Sequence, residues 1–217
     1  MKTFLVIGLG RFGAAAAEKL YSMGHEVLII DESEELVRRL ADQATHAVVG
    51  DAQDMAVLRA AGAKECGCAI VAIGDDLAAS IIITMNLKDL GVPQIVCKAR
   101  DETYKRALER VGADRVVIPE REMALRMVYS LGSASFLDYI EFSSEYGIAE
   151  IAAPKSWQGK TLRELGVRGK HHVNVLSLKN EKDGTLHMSP GADDIVRPEH
   201  VILVMGRNED LARLQKL

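Results

Sequence analysis

The first half of the chain alternates short apolar runs with longer helix-like segments. The apolar runs predict six strands, at residues 4–7, 27–30, 46–49, 68–73, 95–99 and 115–118. Near-continuous apolar strands interleaved with helices are typical of a parallel sheet that is covered on both faces. The pattern therefore predicts an α/β domain over residues 1–119, with a Rossmann-type doubly wound parallel sheet.

Several helix ends in this half are marked by residues that prefer such positions. Helices are predicted at residues 14–23, 33–42, 55–61, 77–90 and 103–111. Gly24 and Gly91 follow the first and fourth helix, and glycine is common just beyond a helix C-terminus. Asp54 can cap the third helix, because its carboxylate can accept hydrogen bonds from first-turn amides.

The second half follows a different pattern. Residues 120–131 predict one more helix, and the Gly-Ser-Ala-Ser run at 132–135 is the best linker candidate, so residues 120–135 would join two domains. Asp183-Gly184 predicts a hairpin turn between residues 175–178 and 185–188. A small α+β domain is thus predicted over residues 136–217, with strands at 137–142, 148–152, 173–178 and 201–205 and helices at 161–165 and 209–217.

The composition is that of a soluble globular protein, with 48% hydrophobic and 27% charged residues. A net charge of −4 gives no overall basic field, so nucleic acid is not an expected partner. No apolar run approaches the roughly 20 residues of a membrane helix, and the chain opens directly on a strand, so no secretory leader is expected. Cys66, Cys68 and Cys97 lack a metal-binding spacing and are expected to be buried, reduced thiols of a cytosolic protein.

Candidate chemistry begins at the turn after the first strand. Gly8, Gly10 and Gly13 have the G-x-G-x-x-G spacing, which serves a tight turn, a close backbone approach to phosphate, and close packing of a helix on a strand. Free amides at the N-terminus of the next helix attract an anion, and the helix dipole adds to that attraction. The motif alone is a weak signal, but it predicts a phosphate-bearing ligand.

Carboxylates at the ends of the next strands favour a ligand that contains adenosine. Asp31 ends the second strand, where the acid of a Rossmann site accepts hydrogen bonds from a ribose. A carboxylate there disfavours a 2′-phosphate, so NADP is not expected; the alternative is that Asp31 merely caps the next helix. The other residues predicted to contact the ligand at this sheet edge are Glu32, Asp51, Ala52, Ile73, Gly74 and Asp75.

The sequence offers little for catalysis. A dehydrogenase needs a proton donor or acceptor beside the nicotinamide, and no tyrosine here has a lysine four residues further on. His172 is a conceivable base, but the neighbours His171 and His172 are better explained as surface or hinge residues. The chain is therefore expected to be a binding and sensing module with no catalytic residue, rather than a small NAD-dependent oxidoreductase.

Several motifs occur together in the order seen in one family. They are Gly8-Leu9-Gly10-Arg11-Phe12-Gly13, Gly24-His25-Glu26-Val27, Thr45-His46-Ala47, Ile70-Val71-Ala72-Ile73-Gly74, and Gly112-Ala113-Asp114-Arg115 followed by Pro119-Glu120. Across essentially its whole length, the sequence resembles the RCK (regulator of potassium conductance) subunits of bacterial Ktr and Trk potassium systems, and the Ktr type above all. The two domains would then be the RCK N-terminal and C-terminal domains.

The resemblance implies a cytosolic homo-octamer built from dimers. It would dock at the inner face of the cell membrane on a KtrB-like integral-membrane potassium channel subunit. ATP or ADP in the Rossmann domain would change the shape of the ring and so switch the potassium pathway; a Trk-type sensor of NAD(H) is the alternative. Residues 120–131 resemble the family's crossover helix, which swaps between subunits.

Charged residues near the glycine turn acquire roles from the same resemblance. Arg11, which Phe12 follows in the turn, matches an arginine that reaches the terminal phosphate of nucleotide in the neighbouring subunit; a guanidinium forks onto phosphate oxygens. Glu120 matches an acid that helps place a divalent cation, Mg²⁺ or Ca²⁺, near the phosphates. A solvated Arg11 and a plain helix-start Glu120 are the alternatives. Lys98 and Arg100 either contact phosphate or are solvated.

The C-terminal domain resembles the RCK module that in Ktr-type subunits can bind cyclic di-AMP at a dimer interface. Arg168, Asn174, Val175 and Pro190 fall where the binding surface is expected, with an arginine for phosphate and apolar flanks for the adenines. Gly169 and the His171-His172 pair stand where relatives often have an alanine and an aromatic residue. The site therefore departs from the usual pattern.

Overall fold

The computed structural model describes residues 2–131, 136–143 and 145–214. It divides into two compact units, Met1–Glu120 and Arg121–Leu217. The predicted linker at 132–135 and the last three residues of the predicted terminal helix lie outside the described residues.

The first unit contains the predicted parallel sheet. Its strands all run parallel in the order β3-β2-β1-β4-β5-β6, so the order reverses between β1 and β4. In open sheets of this kind, the crevice at the carboxyl ends of the strands beside the reversal is where ligands bind. The strands are β1 (Thr3–Ile7), β2 (Glu26–Asp31), β3 (His46–Val49), β4 (Cys68–Val71), β5 (Ile95–Lys98) and β6 (Arg115–Val117).

Both faces of this sheet are covered, as predicted. Along β1, Leu5 and Ile7 pack into one buried cluster, whereas Val6 between them belongs to another. Side chains alternate between the faces of a strand, so the two clusters lie on opposite faces. The three cysteines are buried and form no disulfide, in agreement with the prediction.

The helices of this half follow the strands and define where ligand-facing loops begin. They are α1 (Arg11–Ser22), α2 (Glu34–Leu40), α3 (Met55–Ala60), α4 (Leu77–Asp89) and α5 (Glu102–Arg110). The next helix, α6 (Pro119–Leu131), begins with the last two residues of the first unit and continues into the second. The predicted start of α1 at residue 14 was wrong, because the third glycine of the motif lies inside the first turn of the helix. Helices α2 to α5 begin with capping side chains, from Ser33, Asp54, Asp76 and Asp101 respectively.

The second unit is a small antiparallel α+β domain. Its strands are ordered β10-β9-β11-β8-β7, and the predicted hairpin is confirmed by the antiparallel pairing of β9 with β10. The strands are β7 (Phe136–Glu141), β8 (Tyr146–Ala152), β9 (Val173–Asn180), β10 (Leu186–Met188) and β11 (His200–Arg207). Helices α7 (Leu162–Leu165), α8 (Val167–Lys170) and α9 (Asn208–Leu214) complete it. Within the described ranges, no helix is both long and apolar enough to cross a membrane.

The packing of α1 against the preceding turn predicts different costs for alanine at two glycines. A Cβ atom on Gly13 would lie 1.9 Å from the carbonyl oxygen of Gly8, whereas a Cβ atom on Gly10 would meet nothing within 4 Å. We expect Gly13→Ala to lower the free energy of unfolding by about 2 kcal/mol or more, because the backbone must shift. Gly10→Ala is the control, with a change of less than about 0.5 kcal/mol. Urea unfolding measures both, and equal midpoints for the two variants would contradict this packing.

Candidate functional site

The glycine turn joins the carboxyl end of β1 to α1. Gly8 has φ +86°, in the left-handed region that favours glycine, and its N–H donates to the carbonyl of Ile30 at 2.9 Å. Helix α1 then starts at Arg11 with no capping side chain and no acidic residue in its first turn. Its first-turn amides and its dipole therefore favour an anion from outside the helix.

Asp31, at the end of β2, braces this turn. Its Oδ2 accepts a hydrogen bond from the Leu9 N–H at 2.6 Å, and its Oδ1 accepts one from the Ser33 N–H at 2.8 Å. The cap of α2 is Ser33, whose Oγ accepts from the Leu36 N–H. Each carboxylate oxygen has further lone pairs, so Asp31 can brace the turn and still accept from a sugar hydroxyl.

A cleft of about 270 Å³ opens at the carboxyl ends of β1 to β4. Predicted residues that line it are Gly8, Asp31, Glu32, Asp51, Ala52 and Ile73. It is also lined by residues that the prediction missed, namely Ile7, Ile30, Gly50, Gln53, Asp76, Ala79 and Ile83. Asp76 had a usable signal, since an aspartate that starts a helix after β4 must lie at this edge. The side chain of Ile83, from inside α4, had none.

The polar side chains of this cleft are acidic or neutral. Asp31, Glu32, Asp51 and Asp76 contribute carboxylates, and no lysine or arginine from the described residues lines the wall. Carboxylates accept hydrogen bonds from hydroxyl groups and repel phosphates. The cleft therefore suits the ribose and base of a nucleotide. The phosphates of the nucleotide would instead need the amides and cations beside the glycine turn.

Lys98 and Glu120 form an ion pair at the same sheet edge. The distance from Lys98 Nζ to Glu120 Oε1 is 2.9 Å, and the lysine side chain is 19% exposed against 64% for the glutamate. The hydrocarbon chain of Lys98 lies over Gly74, where an added Cβ would come within 3.1 Å of it. The Lys98 ammonium, with a smaller contribution from Arg11, holds the pKa of Glu120 below its usual value.

The remaining predicted residues surround this arrangement without lining the cleft. Gly10 and Arg11 are exposed, Phe12 is half-buried, and Asp75 is exposed beside the capping Asp76. Arg100 turns along α5, because its Nε lies 3.4 Å from Asp101 Oδ2 and its guanidinium lies 4.5 Å from the ring centroid of Tyr104.

Donors for a metal ion are sparse in one chain. In the part of the chain that the structure describes, no three His, Cys, Asp or Glu side chains converge on a point. Glu120 offers one carboxylate, which already pairs with Lys98. Because Mg²⁺ and Ca²⁺ take about six or more oxygen ligands, these residues do not fit a metal site on their own.

The second unit has a cavity of about 320 Å³ that is lined by three of the four residues predicted there, Arg168, Val175 and Pro190. Asn174 lines a separate cleft with His172 and Arg207. His171 packs against Trp157, with 5.2 Å between the ring centroids, and burial lowers the pKa of His171. The ring contact helps to hold the C-terminal end of α8 against Trp157 in the core of the domain.

Comparisons with known proteins match both halves of the chain. The TrkA-N domain family matches residues 4–119 and the TrkA-C domain family matches residues 148–217. The chain is 38% identical over 214 residues to Ktr system potassium uptake protein A of Bacillus subtilis (strain 168). It is 39% identical over 215 residues to Ktr system potassium uptake protein C of the same organism. Each alignment covers 99% of this chain and 96% of the relative.

Solved structures share the fold at low identity. The GsuK channel bound to NAD covers 100% of this chain, with a TM-score of 0.69 and 20% identity. GsuK bound to ADP covers 61% of it, with a TM-score of 0.52 and 17% identity. The chain spans 39% and 35%, respectively, of the length of those channel chains. These likenesses confirm the predicted fold, a Rossmann-type domain followed by a small C-terminal domain.

The brace at Asp31 predicts a cost for Asp31→Asn in the absence of any ligand. An asparagine keeps one acceptor oxygen, so its NH₂ group must face the N–H of either Leu9 or Ser33. We expect the free energy of unfolding to fall by about 1–3 kcal/mol, because a donor is left without an acceptor. Glu32→Gln, at the exposed neighbour, serves as the control. Thermal unfolding that is unchanged in Asp31→Asn would show that the brace contributes nothing.

Proposed function

The chain belongs to the family of RCK regulatory subunits of Ktr potassium uptake systems, and from this premise we propose that it senses an adenine nucleotide and gates potassium flow through a partner protein. One observation carries the proposal: an uncapped helix N-terminus stands beside a turn braced by Asp31, at the rim of an acidic cleft. The amides suit phosphate and the carboxylates suit ribose hydroxyls. The chain thus offers complementary groups to both ends of a nucleotide.

ATP or ADP is the proposed ligand, and NAD(H) is the second candidate. All of them carry the adenosine that the cleft suits, and the known structures of GsuK include forms bound to NAD and to ADP. Arg11 and Lys98 would serve the phosphates, since both are cations near Glu120 at the edge beside the turn. Asp31 and Glu32 would repel a 2′-phosphate, which disfavours NADP.

Assembly with other chains is part of the proposal. Helix α6 exposes large apolar side chains, with exposed fractions of 60% for Met123, 60% for Val128 and 76% for Leu131. Burying such a surface against a second subunit removes its apolar area from water. We infer pairing through α6 within a homo-octamer of dimers. This ring would be cytoplasmic and would lie at the inner face of the membrane, on a KtrB-like potassium channel subunit.

Gating in this proposal depends on differential binding. A nucleotide shifts the ring only as far as it contacts one shape better than another. Arg11, exposed at the start of α1, would contact the terminal phosphate bound in a neighbouring subunit and so distinguish ATP from ADP. The role of Glu120 in placing Mg²⁺ or Ca²⁺ remains a prediction. The gating proposed here does not depend on a bound metal ion.

A second ligand, cyclic di-AMP, is proposed for the cavity of the C-terminal unit. Arg168 supplies a cation for phosphate, and Val175 and Pro190 supply apolar surface for an adenine. Asn174, the fourth residue predicted for this ligand, lies in a separate cleft of the same unit.

Arg11→Ala tests the nucleotide switch. We expect ATP and ADP to bind the purified protein with similar affinity but to give different small-angle scattering curves. In Arg11→Ala the two curves should superimpose, because the guanidinium that senses the extra charge is gone. Lys19→Ala, a cation near the other end of α1, should keep the difference.

Two results would count against this switch: identical ATP and ADP curves for the unaltered protein, or an undiminished difference in Arg11→Ala. A competition titration of NADH against ATP distinguishes an ATP or ADP sensor from an NAD(H) sensor. In an NAD(H) sensor, a low concentration of NADH would already displace bound ATP. Consumption of NADH with a carbonyl substrate would instead favour an oxidoreductase.

Arg168→Ala tests the second ligand. We expect cyclic di-AMP to bind with at least a tenfold loss of affinity in this variant, in line with the roughly 1.5–3 kcal/mol of a hydrogen bond to a charged group. Lys170→Ala removes a nearby exposed cation that does not line the cavity and should bind normally. Equal affinity of the two variants in equilibrium dialysis would refute the assignment of Arg168.

A further inference from the structure

The Lys98–Glu120 pair lies where the proposed function needs a cation for phosphate. Lys98 ends β5, and Glu120 is the second residue of α6, just after β6. The end of the Lys98 side chain lies over Gly74, where the absence of a side chain leaves room for it. The ammonium lies at the sheet edge, 2.9 Å from Glu120 Oε1.

An enclosed ammonium needs a counter-charge. At 19% exposure, Lys98 loses much of its hydration, and Glu120 replaces that hydration at 2.9 Å. A phosphate bound at the start of α1 would be a second anion for the same ammonium. Arg11 lies near enough to act electrostatically on the Glu120 carboxylate, so the pair and the turn share one electrostatic environment.

We propose that Glu120 is a built-in competitor of the nucleotide's phosphates for Lys98. In the nucleotide-free chain the Glu120 carboxylate pairs with the Lys98 ammonium. When nucleotide binds, phosphate oxygens pair with Lys98 instead, and the Glu120 carboxylate is released from the lysine. This exchange also releases the first turn of α6 from its tie to the end of β5. The inference rests on the proposed function, and it gives nucleotide binding a direct route to the helix that is expected to pair subunits.

The exchange is tested by a double-mutant cycle on ADP affinity, measured by calorimetry in EDTA so that no divalent cation contributes. We expect Glu120→Gln to bind ADP about twofold to fivefold more tightly, which is the range for breaking a partly exposed ion pair. Lys98→Met should bind ADP more weakly, and adding Glu120→Gln to it should restore nothing. Adenosine, which has no phosphate, should bind the unaltered protein and Glu120→Gln equally.

Glu122→Gln is the matched control, because Glu122 is an exposed carboxylate in the same turn of α6; it should leave ADP affinity unchanged. An equal gain from Glu120→Gln with and without Lys98 would show general repulsion of phosphate and overturn the competition. No gain at all would overturn it too, while ADP binding by the unaltered protein would leave the proposed function intact. Failure of that protein to bind ADP, ATP or NADH would refute the proposed function itself.

Discussion

The hydrogen bonds of one carboxylate hold the proposed site in shape. Asp31 connects the end of β2 to the turn that follows β1, since it accepts from both Leu9 and Ser33. The neighbouring parallel strands bring these groups together, and the Gly8 N–H bonded to Ile30 adds a second link. Gly13 packs closely on the Gly8 carbonyl, so the start of helix α1 lies directly against the turn.

Charge is divided along this edge of the sheet. Carboxylates gather in the cleft at the ends of β2 to β4, and cations stand beside the glycine turn and at the end of β5. A ligand with a neutral, hydroxyl-rich end and an anionic end would be oriented by that division alone. The anionic end would meet Lys98, whose partner Glu120 lies in the first turn of α6. In our proposal, the Lys98–Glu120 ion pair thereby links nucleotide sensing to subunit assembly.

The repetitive parts of the fold could be predicted from the sequence. Buried parallel strands are apolar on both faces, so β1, β2 and β5 are visible as short apolar runs, and the aspartates before α3 and α4 mark helix starts. The sequence did not predict helix α8, because glycine is unfavourable inside helices and this short helix contains one. Gly166 precedes the helix with φ +57°, and Gly169 lies inside it. Local pattern is a poor guide where glycine serves a particular backbone conformation.

The site could be predicted only where its residues belong to a motif or to a strand end. Gly8, Asp31 and Asp51 were found in that way and line the cleft. Ile83 was not, because the cleft reaches it only through the strand order, which no local pattern specifies. The pairing of Lys98 with Glu120 was missed for the same reason: it depends on β5 and β6 being neighbours. From the sequence, Lys98 is expected to contact phosphate and Glu120 to help place a metal ion, with no link between the two.

Hydrogen–deuterium exchange with and without ADP tests the central claim, that the cleft and glycine turn hold an adenine nucleotide. We expect slower exchange of backbone amides in residues 8–13 and 50–53 when ADP is present, with residues 162–192 unchanged. Protection that is absent from residues 8–13, or confined to residues 162–192, would contradict it.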